Sequence, residues 1–235
     1  MAKKHFHGET KEDRKKRKHY EKLSKITAQS ISIPNKDKSQ IAFVCGNGNS
    51  RQGIDLDYLQ SIGSLYACNA VYRTNIPDHL IAVDTKMIRE ITNSGYQLKN
   101  KVWTNTNRYT RTVPKINLLN PNLGWSSGPS ALHLASQHYY PEIYILGFDY
   151  EGTGNNNELV NNIYAGTENY KKKGEKATYF GNWTRQTSIC VQKFPKVAYY
   201  RIIPDINSFV PDTLKDLPNL KHITIENFKR NFNIK

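Results

Sequence analysis

Short apolar runs that each end at a polar turn recur along the chain, and this alternation limits the fold more than any other feature. The runs cover residues 41–45, 64–68, 79–83, 102–104, 142–148 and 197–203. Their continuous hydrophobicity is typical of strands buried on both faces of a sheet. Segments of helical length separate several of them, at residues 54–62, 85–92, 127–138 and 184–194. We therefore expect an α/β fold that is Rossmann-like, with a mostly parallel sheet and helices on both faces.

Polar and proline residues predict where the helices begin and where the chain is irregular. Thr85 is positioned to cap the second predicted helix, and Ser127, followed by Pro129, is positioned to cap the third. Residues 105–122 contain two prolines and predict a long loop. Residues 151–162 are rich in Gly and Asn and predict another.

Composition excludes several classes of protein. The 37% hydrophobic content is enough for a core, but no apolar stretch reaches the roughly 18 residues of a membrane span. The N-terminus lacks the apolar core of a secretory signal. Cys45, Cys68 and Cys190 are too few and too scattered for a disulfide framework or zinc cluster, and we expect no metal site. Cys45 and Cys68 lie in apolar runs, where we expect buried reduced thiols. These features predict a cytoplasmic protein.

Positive charge is concentrated at the N-terminus. Residues 1–40 hold 12 Lys and Arg against 5 Asp and Glu, a net of +7 out of the total +14. We predict a basic tail and linker over residues 1–39 and a single nucleotide-sugar-binding domain over residues 40–235. The densest part of the tail is expected to bind nucleic acid or another anion; it consists of Arg14, Lys15, Lys16, Arg17 and Lys18. The alternative is a solvated tail that only adds solubility.

Polar residues follow four of the predicted strands, and ligands of open α/β sheets bind beyond the carboxyl ends of their strands. These positions are the turn at 46–50, Asn69, the segment 126–128 and the pair Asp149 and Tyr150. The glycines of the first turn would let the backbone approach a phosphate. That turn lacks the third glycine of the dinucleotide fingerprint and is not a Walker loop. Each position taken alone also fits a plain turn or helix cap.

Taken together, these segments resemble the small bacterial sialyltransferases of glycosyltransferase family 42 and the wider MptE-like Rossmann group. The matching segments run in the family order over residues 41 to about 208, at 45–48, 54–59, 66–72, 126–128, 142–150 and 179–182. The resemblance implies a single Rossmann-like domain that binds a CMP-sugar donor. It places the nucleotide, phosphate and sugar of that donor against Gly46, Asn47, Gly48, Asn69, Ser127, Gly128 and Asp149.

The resemblance also implies catalytic positions. Tyr150 and Tyr164 would donate hydroxyl groups to the leaving phosphate, where negative charge grows. The family's Tyr-Ile-Gly-His pattern ends in a general base, but residues 179–182 read Tyr-Phe-Gly-Asn, and Asn182 cannot take a proton at neutral pH. Three alternatives stay open: a base from elsewhere, with Glu151, Asp149 or His133 as candidates by position; an acceptor that needs no strong base; or no chemistry.

Two functions from different classes follow. The first is a glycosyltransferase that moves a sugar from a nucleotide-sugar to an unknown acceptor by direct displacement, with no cofactor. The basic tail would bring it to an anionic acceptor or surface, such as nucleic acid, lipid or polysaccharide, including the membrane periphery. The second is a non-catalytic nucleic-acid-binding or assembly protein with a degenerate Rossmann-like site. A pyrophosphokinase-like enzyme is a third option. High Lys, Asn, Ile and Tyr content also suits an AT-rich viral genome, which would place the protein in a host cytoplasm.

Overall fold

Residues 40–234 are described in the computed structural model of the chain, and they form one eight-stranded sheet in which every neighbouring pair is parallel. The predicted Rossmann-like α/β fold is confirmed. The predicted basic tail, residues 1–39, lies outside the described residues. The strands are β1 (Ile41–Cys45), β2 (Ser64–Cys68), β3 (His79–Ile81), β4 (Val102–Thr104), β5 (Asn117–Leu118), β6 (Glu142–Leu146), β7 (Ala198–Ile203) and β8 (Leu220–Thr224).

The strand order places a crevice beside β1. The order is β5-β4-β3-β2-β1-β6-β7-β8, so the chain builds outward from β1 to one edge and then returns to build the other. The direction reverses between β1 and β6, which are paired from Ile41 with Glu142 to Cys45 with Leu146. Connections leave these two strands in opposite directions, which opens a crevice beyond their carboxyl ends.

Helices cover both faces of the sheet. Alternate residues of a strand point to opposite faces: Phe43 belongs to one core with α1, α2 and α6, whereas Val44 belongs to the other with α3 and α4. Fully burying a side chain such as Phe43 contributes about 1.5–3 kcal/mol. The helices are α1 (Leu56–Ile62), α2 (Thr85–Asn93), α3 (Ser127–Gln137), α4 (Gly181–Lys193), α5 (Asp212–Lys215) and α6 (Ile225–Asn231), with short 3-10 helices at Asn49–Arg51, Asn69–Arg73, Tyr96–Leu98 and Thr110–Thr112.

Several predicted boundaries are wrong, each for a local reason. The third strand ends at Ile81 instead of residue 83, since the Val83 N–H donates to the Ser127 hydroxyl. Strand β6, predicted over residues 142–148, ends at Leu146, because Gly147 turns the chain with φ of 67°.

Helix starts also differ from prediction. Asp84, and not Thr85, caps α2 by accepting the Lys86 N–H. Helix α3 has Ser126 as its N-cap, which leaves the Ser127 side chain available for another contact. Helix α4 begins at Gly181, three residues before the predicted start at 184.

Two parts of the fold are regular structure that was not predicted from the sequence. The short edge strand β5 lies within the predicted loop 105–122, and β8, α5 and α6 follow residue 208. Strand β8 mixes Lys221 and His222 with apolar residues, so it lacks the continuous apolar run that identified the central strands.

Two sequence-based expectations can be compared with the described residues. Cys45 and Cys68 are buried, as predicted, and Cys190 is buried as well. Within residues 40–234, none of the helices combines the length and the hydrophobicity needed to span a membrane.

Candidate functional site

A cavity of about 720 Å³ opens over the carboxyl ends of β6, β1, β2 and β3. Turns after four strands contribute polar side chains to its wall: Asn47 after β1, Asn69 after β2, Asp84 after β3 and Asp149 after β6. The first turn of α3 and residues 151–180, which we call the strap, complete the wall. The volume is within the range of sites that hold a drug-sized or nucleotide-sized ligand.

The Asp149 carboxylate is bound by the last residue of the glycine turn at 46–50. The Ser50 N–H donates to Asp149 Oδ2 at 3.1 Å, and the Ser50 hydroxyl donates to Oδ1. A Cβ on Gly48 would lie 2.5 Å from the Asp149 carboxylate, so glycine is required for this approach. The turn therefore binds an internal carboxylate where a phosphate-binding turn would bind its ligand. Gly46 and Gly48 line the cavity, but a ligand phosphate at this turn would have to displace Asp149.

Asn69 is held with its amide nitrogen available to a ligand. It adopts φ of 55°, a left-handed conformation that Asn tolerates better than most residues. Ser127 accepts the Val83 N–H at 3.2 Å and donates its hydroxyl to Asn69 Oδ1 at 2.9 Å. No acceptor for Asn69 Nδ2 is present among residues 40–234, and Asn69 lines the cavity. Ser127 thus orients a hydrogen-bond donor toward the ligand space, a role different from the predicted helix cap.

Tyr170, which the sequence analysis missed, presents a hydroxyl group beside Asn69. Its oxygen accepts the Asn47 side-chain amide at 3.2 Å and the Ala70 N–H at 3.3 Å. Both lone pairs are then used, and within the described part of the chain its own hydrogen meets no acceptor. Tyr170 lines the cavity, so that hydrogen is available to an acceptor atom of a ligand. Burial raises the pKa of Tyr170, which keeps the hydroxyl protonated. No local pattern marked this tyrosine, since it lies in an irregular Lys-rich loop.

The first turn of α3 brings backbone N–H groups to the same cavity. Ser127 and Gly128 line it, and the first N–H groups of a helix have no intrahelical acceptor. A Cβ on Gly128 would approach the Phe148 ring to 3.1 Å, so glycine suits the close packing there. The helix dipole adds a favourable field for negative charge at this end.

Glu151 supplies a carboxyl group at the edge of the cavity, two residues after Asp149. Burial raises the pKa of Glu151; the Arg201 charge opposes this and the Asp149 charge adds to it. Arg201 is 3% exposed and donates to the carbonyl oxygens of Phe148 at 2.8 Å and Asp149 at 2.9 Å. Arg201 therefore holds the turn that carries both carboxylates. A carboxyl group with a raised pKa in a cleft is a candidate general base.

The other predicted catalytic residues lie at different depths. Tyr150 is 5% exposed and donates its hydroxyl to Thr187 Oγ1 at 2.8 Å, so donation to a phosphate would require that bond to break. The Tyr164 hydroxyl accepts from Arg51 at 3.4 Å, behind Tyr170, and does not line the cavity. Asn182 is exposed on the first turn of α4 and lies outside the cavity wall. The structure thus brings Glu151, and not Asn182, to the cavity.

His133 has a packing role in this structure. It is 4% exposed and its ring lies between Trp125 and Phe194, at centroid distances of 5.7 Å and 5.4 Å. Burial lowers its pKa to about 4, with a further contribution from the Lys193 charge. His133 does not line the cavity.

Aromatic rings form the wall nearest α4. Trp125, Phe180 and Trp183 line this part, and Phe180 and Trp183 meet edge to face at 5.5 Å. Flat apolar rings beside polar strand ends suit a ligand that carries both a ring and hydrogen-bonding groups. Within residues 40–234, no group of three or more His, Cys, Asp or Glu residues is arranged to hold a metal ion.

No known protein family is matched by this chain in a comparison with family models. Comparison with curated proteins and with solved structures also gives no match.

Proposed function

We propose that the protein is a nucleotide-sugar-dependent glycosyltransferase whose donor binds in the cavity at the β1/β6 crevice. The observation that carries this proposal is the convergence of the Asn69 amide, the Tyr170 hydroxyl and the first turn of α3 on one cavity. All three offer hydrogen-bond donors. A nucleotide phosphate is a ligand group that binds through several donors at one point.

The geometry favours one orientation of the donor. The Asp149 carboxylate repels a phosphate at the glycine turn, so the phosphate is placed by Asn69, Tyr170 and the N–H groups of Ser127 and Gly128. Asn47 supports this arrangement through its bond to Tyr170. The choice of a CMP-sugar as donor follows from the family resemblance, and the sugar and acceptor stay unassigned.

The proposed reaction is a direct displacement at the anomeric carbon of the donor sugar. An acceptor hydroxyl oxygen forms a bond to that carbon while the bond to the phosphate oxygen breaks. The leaving nucleotide keeps the bonding electron pair, and Tyr170 donates to the charge that develops on its phosphate. The acceptor proton passes to the Glu151 carboxylate, which takes the role that Asn182 cannot perform.

A binding measurement with matched asparagine variants tests the nucleotide site. We expect CMP or a CMP-sugar to raise the melting temperature of the wild-type protein in a screen against other nucleotides. Asn69→Asp keeps an acceptor for Ser127 but removes the amide donor and adds negative charge, so it should weaken nucleotide binding at least tenfold. Asn157→Asp is the control, since Asn157 is exposed and has the same φ of 55°. Equal affinities of the two variants would contradict the proposal.

One observation favours the non-catalytic alternative. Asn182 occupies the position of the family's general base, yet it is exposed and away from the cavity. A protein that binds nucleotides or nucleic acid without chemistry has no need of a base there. Incubation of the wild-type protein with its tightest nucleotide-sugar separates the two functions: release of free nucleotide supports the transferase, and stable binding without release supports the alternative.

A further inference from the structure

Arg51 is a buried cation directly behind the cavity. It is 6% exposed, and its side chain lies against Gly147 at the β1/β6 crevice. Arg51 Nε donates to the Gly46 carbonyl oxygen, and Nη2 lies 3.4 Å from both Asn47 Oδ1 and the Tyr164 hydroxyl. Among residues 40–234 it forms no ion pair with a carboxylate. Its hydrogen-bond partners among these residues are all neutral.

The other arginines near the cavity differ in this respect. Arg73 forms an ion pair with Glu90 at 2.7 Å. Arg201 is held by three carbonyl oxygens and lies close enough to Asp149 and Glu151 for their charges to act on it. A buried charge without a counter-ion is costly to a fold. The position of Arg51 is explained if its counter-charge arrives with a ligand.

Two side chains connect Arg51 to the cavity. The Arg51 charge acts on Asn47 Oδ1, Asn47 Nδ2 donates to the Tyr170 oxygen, and the Tyr170 hydrogen is available to the ligand. Each donor in such a chain polarises the next, so a cation at its base strengthens the last donor. The contact of 3.4 Å is long for a hydrogen bond, and its effect on Asn47 is therefore mainly that of the charge.

We propose that Arg51 is a positioning residue that provides the buried counter-charge for an anionic group in the cavity, acting through Asn47 and Tyr170. The anionic group is a phosphate, and in this respect the inference rests on the proposed function and deepens it. Arg51 makes the site prefer a nucleotide to the nucleoside that lacks the phosphate. It also strengthens the Tyr170 donor at the point where charge grows on a leaving phosphate.

Calorimetric titration with CMP and with cytidine tests this inference, because a merely structural role would affect both ligands alike. In Arg51→Gln we expect CMP affinity to fall on the order of tenfold, because a buried positive charge that favours the phosphate is removed. Cytidine affinity should stay nearly unchanged. Arg51→Lys keeps the charge and should keep most of the preference. Arg89→Gln is the control for net charge, since Arg89 is exposed on α2.

Several outcomes would overturn the inference while leaving a nucleotide site intact. One is equal affinity of the wild-type protein for CMP and cytidine, and another is an unchanged ratio in Arg51→Gln. If Arg51→Gln does not fold, Tyr170→Phe decides: it removes the last donor of the chain, so an unchanged CMP-to-cytidine ratio rejects the inference.

A different result rejects the proposed function: the wild-type protein binds neither a nucleotide nor a nucleoside. Inorganic phosphate then becomes the probe. Phosphate binding that is lost in Arg51→Gln supports the counter-charge, and no phosphate binding by the wild-type protein rejects it.

Discussion

Asp149 and Glu151 are two residues apart on the same turn, yet their surroundings favour opposite roles. Asp149 accepts hydrogen bonds from the Ser50 N–H and hydroxyl, which hold its carboxylate against the glycine turn. Glu151 lies in the cavity wall, and burial raises its pKa. Neighbouring carboxyl groups in different environments often divide structural and acid-base work between them.

Replacing Glu151 tests its role as a base. Glu151→Gln should lower the rate of sugar transfer or donor hydrolysis by about 10²–10⁴-fold, since the proton acceptor is lost. Nucleotide affinity should change little, because Asn69 and Tyr170 remain. Glu158→Gln, an exposed position on the strap, should keep full activity.

The pH dependence of the transfer rate is a second test of Glu151 as the general base. A base must be ionised, so the wild-type rate should rise with pH through the raised pKa of Glu151, above the ordinary glutamate value of about 4.3, and then level off. The acid limb should be absent in Glu151→Gln. If the rate of this variant still rises with pH in the same range, the titrating group is a residue other than Glu151.

At this scale, the sequence could predict residues that directly follow strands. Asn47, Asn69 and Asp149 were singled out because each follows a strand, and parallel strands end at one edge of a sheet. Tyr170 was not singled out, because it lies in a long irregular loop. Arg51 was not singled out either, because only its burial distinguishes it. The hydroxyl of Tyr150 also shows that the direction of a side chain cannot be predicted from its position after a strand.

Among the larger elements, the strap is attached to the body of the domain at a few polar points. Glu90 on α2 accepts from Arg73 Nε and Nη2 at 2.7 Å each, from the Tyr72 hydroxyl at 2.6 Å and from the Asn169 amide at 2.6 Å. Burial acts to raise the pKa of Glu90, but the hydrogen bonds and the Arg73 charge outweigh it and lower the pKa to about 2. Glu90 thus joins α2, the turn after β2 and the strap that carries Tyr170.

Removing the charge of Glu90 should loosen this attachment. Glu90→Gln is expected to lower the free energy of unfolding by about 1–3 kcal/mol, because several charge-assisted hydrogen bonds are weakened. Amide hydrogen exchange over residues 161–180 should become faster. Glu226→Gln breaks an exposed ion pair with Arg230 and should cost less than about 0.5 kcal/mol. Similar costs for both variants would show that the Glu90 cluster does not hold the strap.

The centre of the sheet could be predicted, because a parallel strand buried on both faces needs a continuous apolar run. The two edges could not. Strand β5 has only two residues, and β8 is interrupted by the polar residues Lys221, which is exposed, and His222, so neither carries such a run. The order of the strands, which creates the crevice, depends on pairings between distant residues and has no local signal.

Deleting residues 1–38 tests the domain boundary and the basic tail together. Residues 41–234 supply two hydrophobic cores, so we expect the melting temperature to change by less than about 2 °C. Binding to an oligonucleotide should be lost if the tail binds anions, and binding by the full chain should weaken steeply as salt increases. Failure of the shortened chain to fold would move the boundary. Salt-independent binding would reject an electrostatic role.

The distribution of tryptophans provides an internal optical probe. Of the three in the chain, Trp125 and Trp183 line the cavity, whereas Trp103 is a residue of β4 and donates to His79. A ring that stacks on the aromatic wall should quench or shift two thirds of the fluorophores and leave the third as a constant reference. Occupancy of the site can therefore be followed in the unlabelled protein, even for ligands that have not yet been identified.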